Sequence, residues 1–253
     1  MDAGPGADAA PPVTGEWFTP TSSMTWQWQL VGSVNPSYAV DVYDIDLFNV
    51  SASEIAALQA TGKKVICYFS AGSYEPFRSD AGSFPDATLG KVLDGFEDEK
   101  WLDIRDDRLL EIMATRLDTA VQKGCDGVEP DNMDGYQNDS GFPLRDEDQL
   151  AFNRAIANLA HARGLAVGLK NDLDQIPQLL AYFDFSVNEQ CHEFEECEAL
   201  LPFIQADKPV WNAEYKESFV SDSSEICSAA QNLGLRTLVL PLDLDDEFRI
   251  SCD

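Results

Sequence analysis

Gly127-Val128-Glu129-Pro130-Asp131-Asn132-Met133-Asp134-Gly135-Tyr136 places three carboxylates where a short apolar run gives out. A helix-like run over 109–122 and a turn at Lys123-Gly124 precede it. Positions i and i+2 of a strand share a face, so Glu129 and Asp131 point the same way. Pro130 offers no N–H and Gly135 permits a sharp bend, which ends the strand there. Like charges this close raise at least one pKa unless a cation intervenes. A strand end of this kind is either chemical machinery or a solvated loop in a very acidic chain.

Outward from this stretch, apolar runs alternate with helical patterns. Strands are predicted at 26–30, 39–47, 64–69, the acidic stretch itself, 165–169, 183–187, 209–212 and 236–240. Helices are predicted behind an N-cap at Ser53 and closed by Gly62, and over 108–123, 146–163, 174–182, 195–206 and 221–233. Eight strands alternating mostly with helices give an α/β fold, a single (β/α)8 barrel. A long insertion over 74–107, after the third strand, is rich in Pro and Gly, and such insertions usually cover a site. Residues 1–15 hold only small side chains besides Met1 and Asp2, Asp8 and Val13, and read as a flexible leader; 16–253 form the barrel domain.

In such barrels chemistry collects at the C-terminal strand ends. Here those ends carry Asp44, Asp46, Tyr68, Asp131, Asp134, Lys170, Asn171, Glu189, Glu214 and Tyr215, with Trp28 and Trp211 among the accompanying aromatics. Acids ringed by aromatic faces suit a sugar, whose hydroxyls need acceptors and whose C–H faces stack on rings. An amino sugar would add ion pairing and cation–π attraction. Glycoside hydrolysis needs two carboxyls flanking one bond. Asp131 and Glu189 are the candidates, Glu214 is the rival for either role, and the other residues are expected to bind substrate. Glu129 is expected one layer deeper, bonded to a neighbour such as Lys170. A strand-end lysine can form a Schiff base, but Lys170 stands among acids that hold it charged.

The chain has 253 residues, with 17 Lys and Arg against 45 Asp and Glu, a formal charge of -28. Nucleic acid is a poor partner for that surface, and a cationic ligand would be drawn to it. No apolar run is long enough to span a membrane. Six cysteines without a C-x-x-C and only two histidines argue against zinc and for disulfides in an oxidising compartment. Six cysteines allow fifteen pairings; the expected one is Cys67–Cys125, Cys191–Cys197 and Cys227–Cys252. A metal site from Asp131, Asp134 and Asp243 does not have the spacing of a calcium loop. The acidic runs 193–198 and 243–247 read as a helix start and a solvated terminus.

The chain resembles glycoside hydrolase family 114, the endo-α-1,4-polygalactosaminidases. The resemblance rests on Trp26-Gln27-Trp28-Gln29-Leu30, Tyr43-Asp44-Ile45-Asp46-Leu47-Phe48, the segment from Val65 to Glu75, Glu99-Lys100-Trp101-Leu102-Asp103-Ile104-Arg105, Gly127 to Tyr136, Gly168-Leu169-Lys170-Asn171, Asn188-Glu189-Gln190-Cys191 and Glu214-Tyr215. It implies secretion and cleavage of cationic α-1,4-linked galactosamine polysaccharide by the pair matching Asp131 and Glu189. It also implies retention, with Asp131 as nucleophile and Glu189 as acid/base, or the reverse. No cofactor is expected, and a monomer is. The alternatives are a glycosidase for a neutral or N-acetylated polymer, and a sugar-binding barrel without turnover.

Overall fold

The computed structural model describes residues 10–253. In chain order the strands are β1 (Trp26–Gln29), β2 (Val42–Asp46), β3 (Lys64–Ser70), β4 (Ser73–Tyr74), β5 (Leu89–Leu93), β6 (Phe96–Leu102), β7 (Gly127–Asp131), β8 (Ala166–Lys170), β9 (Phe185–Glu189), β10 (Val210–Glu214), β11 (Arg236–Val239) and β12 (Ile250–Ser251). The helices are α1 (Ala52–Gln59), α2 (Arg108–Lys123), α3 (Asp146–His161), α4 (Ile176–Leu179), α5 (Leu201–Gln205), α6 (Glu217–Ser221) and α7 (Ser224–Leu233). One curled sheet runs β1-β2-β3-β7-β8-β9-β10-β11-β12, parallel throughout except at β12. This is the expected barrel architecture.

Period-2 alternation sorts the strand residues into two apolar layers. Trp26, Trp28, Val42, Ile66, Ala166, Phe185, Val187, Trp211, Ala213 and Leu238 fill the inside of the curl. Their neighbours, among them Tyr43, Ile45, Val65, Cys67, Val128, Val167, Leu169 and Val239, pack outward against the helices. At the N-terminal end of the curl Trp211 lies between Trp26 and Phe185, with ring centroids 5.9 and 4.6 Å away. Gly168 makes room for this floor: a Cβ there would sit 2.2 Å from the Phe185 ring. Inward acids therefore appear only toward the C-terminal ends, as Asp44 and Asp46, Glu129 and Asp131, and Glu189.

No ladder joins β1 to β11. The C-terminal segment fills that seam. The Leu244 carbonyl accepts from the Leu30 and Val31 N–H groups at 3.0 and 3.2 Å. Arg249 donates to the Trp26 carbonyl at 3.0 Å and to Gln27 Oε1 at 2.7 Å. Asp246 accepts from Gln27, Asn35 and the Tyr38 hydroxyl. The solvated terminus expected over 243–247 is thus corrected: Leu244 is buried and Asp246 is a bonded, half-buried acid, while Asp243, Asp245 and Glu247 stay exposed.

The insertion is not shapeless. Its β4, β6 and β5 form a small antiparallel sheet, and Arg78 ties it to the barrel through Asp46 at 2.7 Å while pairing within the insertion with Glu75 at 2.7 Å. Other local expectations shift for identifiable reasons. The cap of α1 is Ser51, not Ser53, in a capping box with Glu54. The helix expected over 195–206 begins late, because the Cys191–Cys197 bridge closes a turn in which Glu195 has φ 59°. The helix expected over 221–233 breaks at Asp222, whose carboxylate accepts from the Ser224 N–H at 3.0 Å. All three expected disulfides form, with Cα–Cα separations of 6.0, 4.7 and 4.7 Å.

Of the leader expected over 1–15, residues 1–9 lie outside the described residues. Residues 10–13 are anchored rather than loose: Val13 N–H donates to Asn158 Oδ1 at 2.9 Å, and the Ala10 carbonyl accepts from Asn158 and Tyr182. Trp17 then stacks on His161 at 3.9 Å. Among the described residues no helix is long and apolar enough to cross a membrane.

Candidate active site

Lys170, the last residue of β8, lies at the centre of the inward acids. Its Nζ is 3.0 Å from Asp131 Oδ1, 3.1 Å from Glu129 Oε1 and 3.3 Å from Glu189 Oε2. Below it, Nζ stands 4.7 Å from the centre of the Trp28 ring. Burial alone would push this ammonium down. Three carboxylates outweigh burial and hold it well above the usual lysine range. A lysine held charged by its neighbours is a poor nucleophile, which weighs against the Schiff-base reading.

Asp131 is held by donors on every side. Oδ1 accepts from the Asn132 N–H at 2.6 Å as well as from Lys170, and Oδ2 accepts from the Tyr68 hydroxyl at 2.9 Å. Its carbonyl accepts from the Ala71 and Gly72 N–H groups at 2.9 and 3.1 Å. Gly72 permits that approach, since a Cβ there would lie 1.8 Å from the Asn132 carbonyl oxygen. Glu189 accepts from the Tyr215 hydroxyl in a short hydrogen bond, and its backbone N–H donates to Asn171 Oδ1 at 3.0 Å. Asn132, Asn171 and Gln190, each directly following a site strand, have φ of 59°, 46° and 63°. Left-handed backbone turns the chain sharply there, and asparagine tolerates it.

Glu129 sits one layer below, fully buried, as expected from the strand register. Burial pushes it up to about 7 against the pull of Lys170. Asp44 beside it is also fully buried; burial and the Glu129 charge push it well above the carboxylate range. Asp44 and the Glu129 Oε2 find no donor elsewhere. Two facing buried carboxyls are mutually satisfied when Asp44 carries a proton and donates it to Glu129. Asp44 is therefore a buried support and does not line the opening.

The structure brings together Asp131, Glu189, Lys170, Tyr68, Tyr215, Asn171 and Asp134, and sets the other expected residues apart. Asp46 is spent on Arg78 and on the Phe48 and Asn49 N–H groups. Trp28 is 2% exposed beneath Lys170, and Trp211 is wholly buried at the far end of the curl, so neither offers a face to a ligand at the mouth. Glu214 faces outward, with Val210 and Asn212. Its Oε1 accepts from the His192 N–H at 2.8 Å and the side chain is buried. That geometry removes it as a rival to Asp131 and Glu189.

A cavity of about 320 Å³ opens beside Glu189. Its lining includes Asp134, Asn171, Asp172, Asp174 and Glu196, and the exposed ring of Phe194, and it contains no lysine or arginine. Burial and Asp131 push Asp134 up to about 6. On the other flank Glu99 of β6 accepts from the Ser73 hydroxyl at 2.7 Å, and burial pushes it up to about 7. Phe194 was missed because it lies in an acidic run that reads as a helix start. Among the described residues Cys191, His192 and Cys197 come close enough to share a metal ion, but both thiols are consumed in the disulfide.

A family model described as glycoside-hydrolase family GH114 matches residues 7–253. The crystal structure of Aspergillus fumigatus Ega3 in complex with galactosamine superposes with a TM-score of 0.90 at 41% identity, covering 94% of this chain and 99% of that one. The glycoside hydrolase domain of Pseudomonas aeruginosa PelA superposes with a TM-score of 0.71 at 13% identity, over 90% of this chain and 98% of that one. The second likeness is one of fold. Comparison with curated proteins finds no match.

Proposed function

The chain belongs to glycoside-hydrolase family GH114, and on that premise we propose that it hydrolyses α-1,4-linked galactosamine chains from within, with Asp131 as nucleophile and Glu189 as acid/base. The observation that carries this reading is the shared ammonium of Lys170, within 3.3 Å of both acids at the C-terminal end of the barrel. The oxygens facing it can be no further apart than the sum of the two contacts, which is compatible with the close carboxyl pair of a retaining enzyme. The Ega3 relative holding galactosamine supports the substrate class.

Protonated Glu189 gives its proton to the glycosidic oxygen as the C1–O bond breaks, and an Asp131 oxygen bonds to C1. Glu189, now ionised, takes a proton from water, whose oxygen displaces Asp131 from C1 and frees the second product. The donors around Asp131 fix the direction in which its oxygens face C1. Glu189 is the more open of the two, 27% exposed in its side chain against 18% for Asp131, which suits a group that must exchange protons with solvent. Three disulfides support an oxidising, extracellular setting.

The test is a product profile on galactosamine oligomers of defined acetylation, with anomers followed by NMR. Internal cleavage of deacetylated chains with retained configuration is expected. Cleavage of only acetylated or neutral chains overturns the substrate, and a first product of inverted configuration overturns the roles.

A further inference from the structure

Behind the site a row of polar side chains crosses from the end of β8 to β11. Asn188 of β9 pairs in register with Asn212 of β10, and Asn212 with Thr237 of β11. Lys170 pairs with Val187, so Asn171, directly after β8, comes opposite Asn188. All four share the outward parity, in a layer that Val167, Leu169, Val210 and Val239 otherwise make apolar. Asn188 is 1% exposed, and Asn212 and Thr237 are wholly buried. Amides are costly in such a layer unless each finds a partner.

The hydrogen bonds of the row run one way. The Thr237 hydroxyl donates to Asn212 Oδ1 at 2.9 Å, Asn212 Nδ2 to Asn188 Oδ1 at 3.0 Å, and Asn188 Nδ2 to Asn171 Oδ1 at 3.2 Å. Asn171 Oδ1 also accepts from the Glu189 N–H at 3.0 Å. That last contact replaces a rung of the sheet. Asn171 still gives its own N–H to the Val187 carbonyl at 3.0 Å, but its φ of 46° then turns the chain away. The Glu189 N–H is the next donor of β9 on that edge, and the Asn171 side-chain oxygen stands in for the main-chain carbonyl that has left.

We propose that this row is a positioning device for Glu189: Thr237, Asn212 and Asn188 fix the Asn171 amide, and Asn171 fixes where the Glu189 backbone, and with it the carboxyl, stands against the scissile bond. The inference rests on the reading of Glu189 as acid/base given above. None of Asn188, Asn212 and Thr237 bonds through its side chain to Glu189 or Asp131, so they act through Asn171. An acid held out of place costs most where the leaving oxygen needs its proton and least where the leaving group departs unaided. A row that only braced the sheet would make no such distinction.

Two variants test this. Asn188→Leu keeps the side-chain size and removes both of its contacts. Asn171→Gly removes the shared acceptor at a φ that glycine adopts freely, so it keeps the fold even where the first variant does not. Each is assayed on deacetylated galactosamine oligomers and on a dinitrophenyl α-galactosaminide, with circular dichroism recorded alongside. On the oligomers kcat/KM should fall at least about tenfold, and on the dinitrophenyl substrate by less than about threefold. Azide, which attacks without a general base, should raise kcat on the dinitrophenyl substrate for the variants and leave the wild type unchanged. Equal losses on the two substrates, no loss on either, or no azide effect in a folded variant overturns the positioning role. A wild type that leaves the oligomers intact overturns the proposed function, whereas an active wild type with equal losses in the variants overturns the positioning role alone.

Discussion

Asp131 and Glu189 share a single cation: one oxygen of each lies within 3.3 Å of Lys170 Nζ. They differ in what else they touch. Besides Lys170, Asp131 accepts from the Tyr68 hydroxyl and the Asn132 N–H, and Glu189 has one tyrosine and more solvent. That asymmetry supports the proposed roles, and it can be tested chemically. Asp131→Gly with azide should yield a glycosyl azide of inverted configuration, and Glu189→Gly with azide one of retained configuration, from substrates with good leaving groups. Asp131→Asn and Glu189→Gln should each lose at least ~10³-fold in kcat, with circular dichroism unchanged. Swapped azide products would exchange the two roles.

Lys170→Met leaves Glu129, Asp131 and Glu189 crowded without a counter-charge. Breaking a buried ion cluster this way costs about 3–5 kcal/mol. The deficit should grow as pH rises through the carboxylate range, because the orphaned acids must then ionise together. In the wild type the raised Lys170 value acts oppositely: its contribution is full below the unfolded lysine value of about 10.4 and is lost as pH rises toward the folded one. Urea melts of both proteins at acid, neutral and alkaline pH decide this; a variant equally stable at every pH contradicts it.

Glu214→Gln should keep activity within about threefold, since the side chain faces away from the pair. It should leave stability within about 1 kcal/mol at neutral pH, because the amide keeps an oxygen to accept from the His192 N–H and carries no buried charge. A thousandfold loss in kcat with normal stability would return Glu214 to the chemistry.

Stability should fall as pH rises across the mildly acidic to neutral range. Burial pushes Asp134 up to about 6, Glu129 and Glu214 up to about 7 and Asp172 up to about 8. Unfolded carboxyls titrate near 4. Over about pH 4–8 the native state therefore binds more protons, and its advantage drains away as they leave. Exposed acids pulled down by neighbours, such as Asp106 at about 2, act the other way only below about pH 4, where solvent screens them. The thermal midpoint should peak near pH 4–5 and drop by several degrees by pH 8. Asp172→Asn should flatten the decline between about pH 6 and 8. A midpoint rising from pH 5 to 8 contradicts this account.

The strands were readable because apolar runs recur between helical patterns and four of the eight parallel ones end in an acid, at Asp46, Asp131, Glu189 and Glu214. The orientation of Glu214 was not. Parallel strands buried on both faces carry apolar residues at both parities, so neither Trp211-Asn212-Ala213 nor Glu214 itself declares which side is in. The placement of Trp211 was readable in principle, since it opens its strand and the chemistry lies at the other end. Asp46 and Asp246 needed partners that only the fold supplies: Arg78 from the insertion, and Gln27, Asn35 and Tyr38 from the first strand and the loop after it.

The seam between the first and eighth parallel strands sets the timing of assembly. Leu244 and Arg249 hold β1 in place, so the earliest strand to be synthesised waits for the latest segment before its edge is covered. During synthesis Trp26 and Trp28 travel with no finished wall around them, which is an opening for mispairing at that edge. A ribosome-stalled intermediate ending before residue 244, with β1 held only by its ladder to β2, should be digested by protease more readily than the full-length chain.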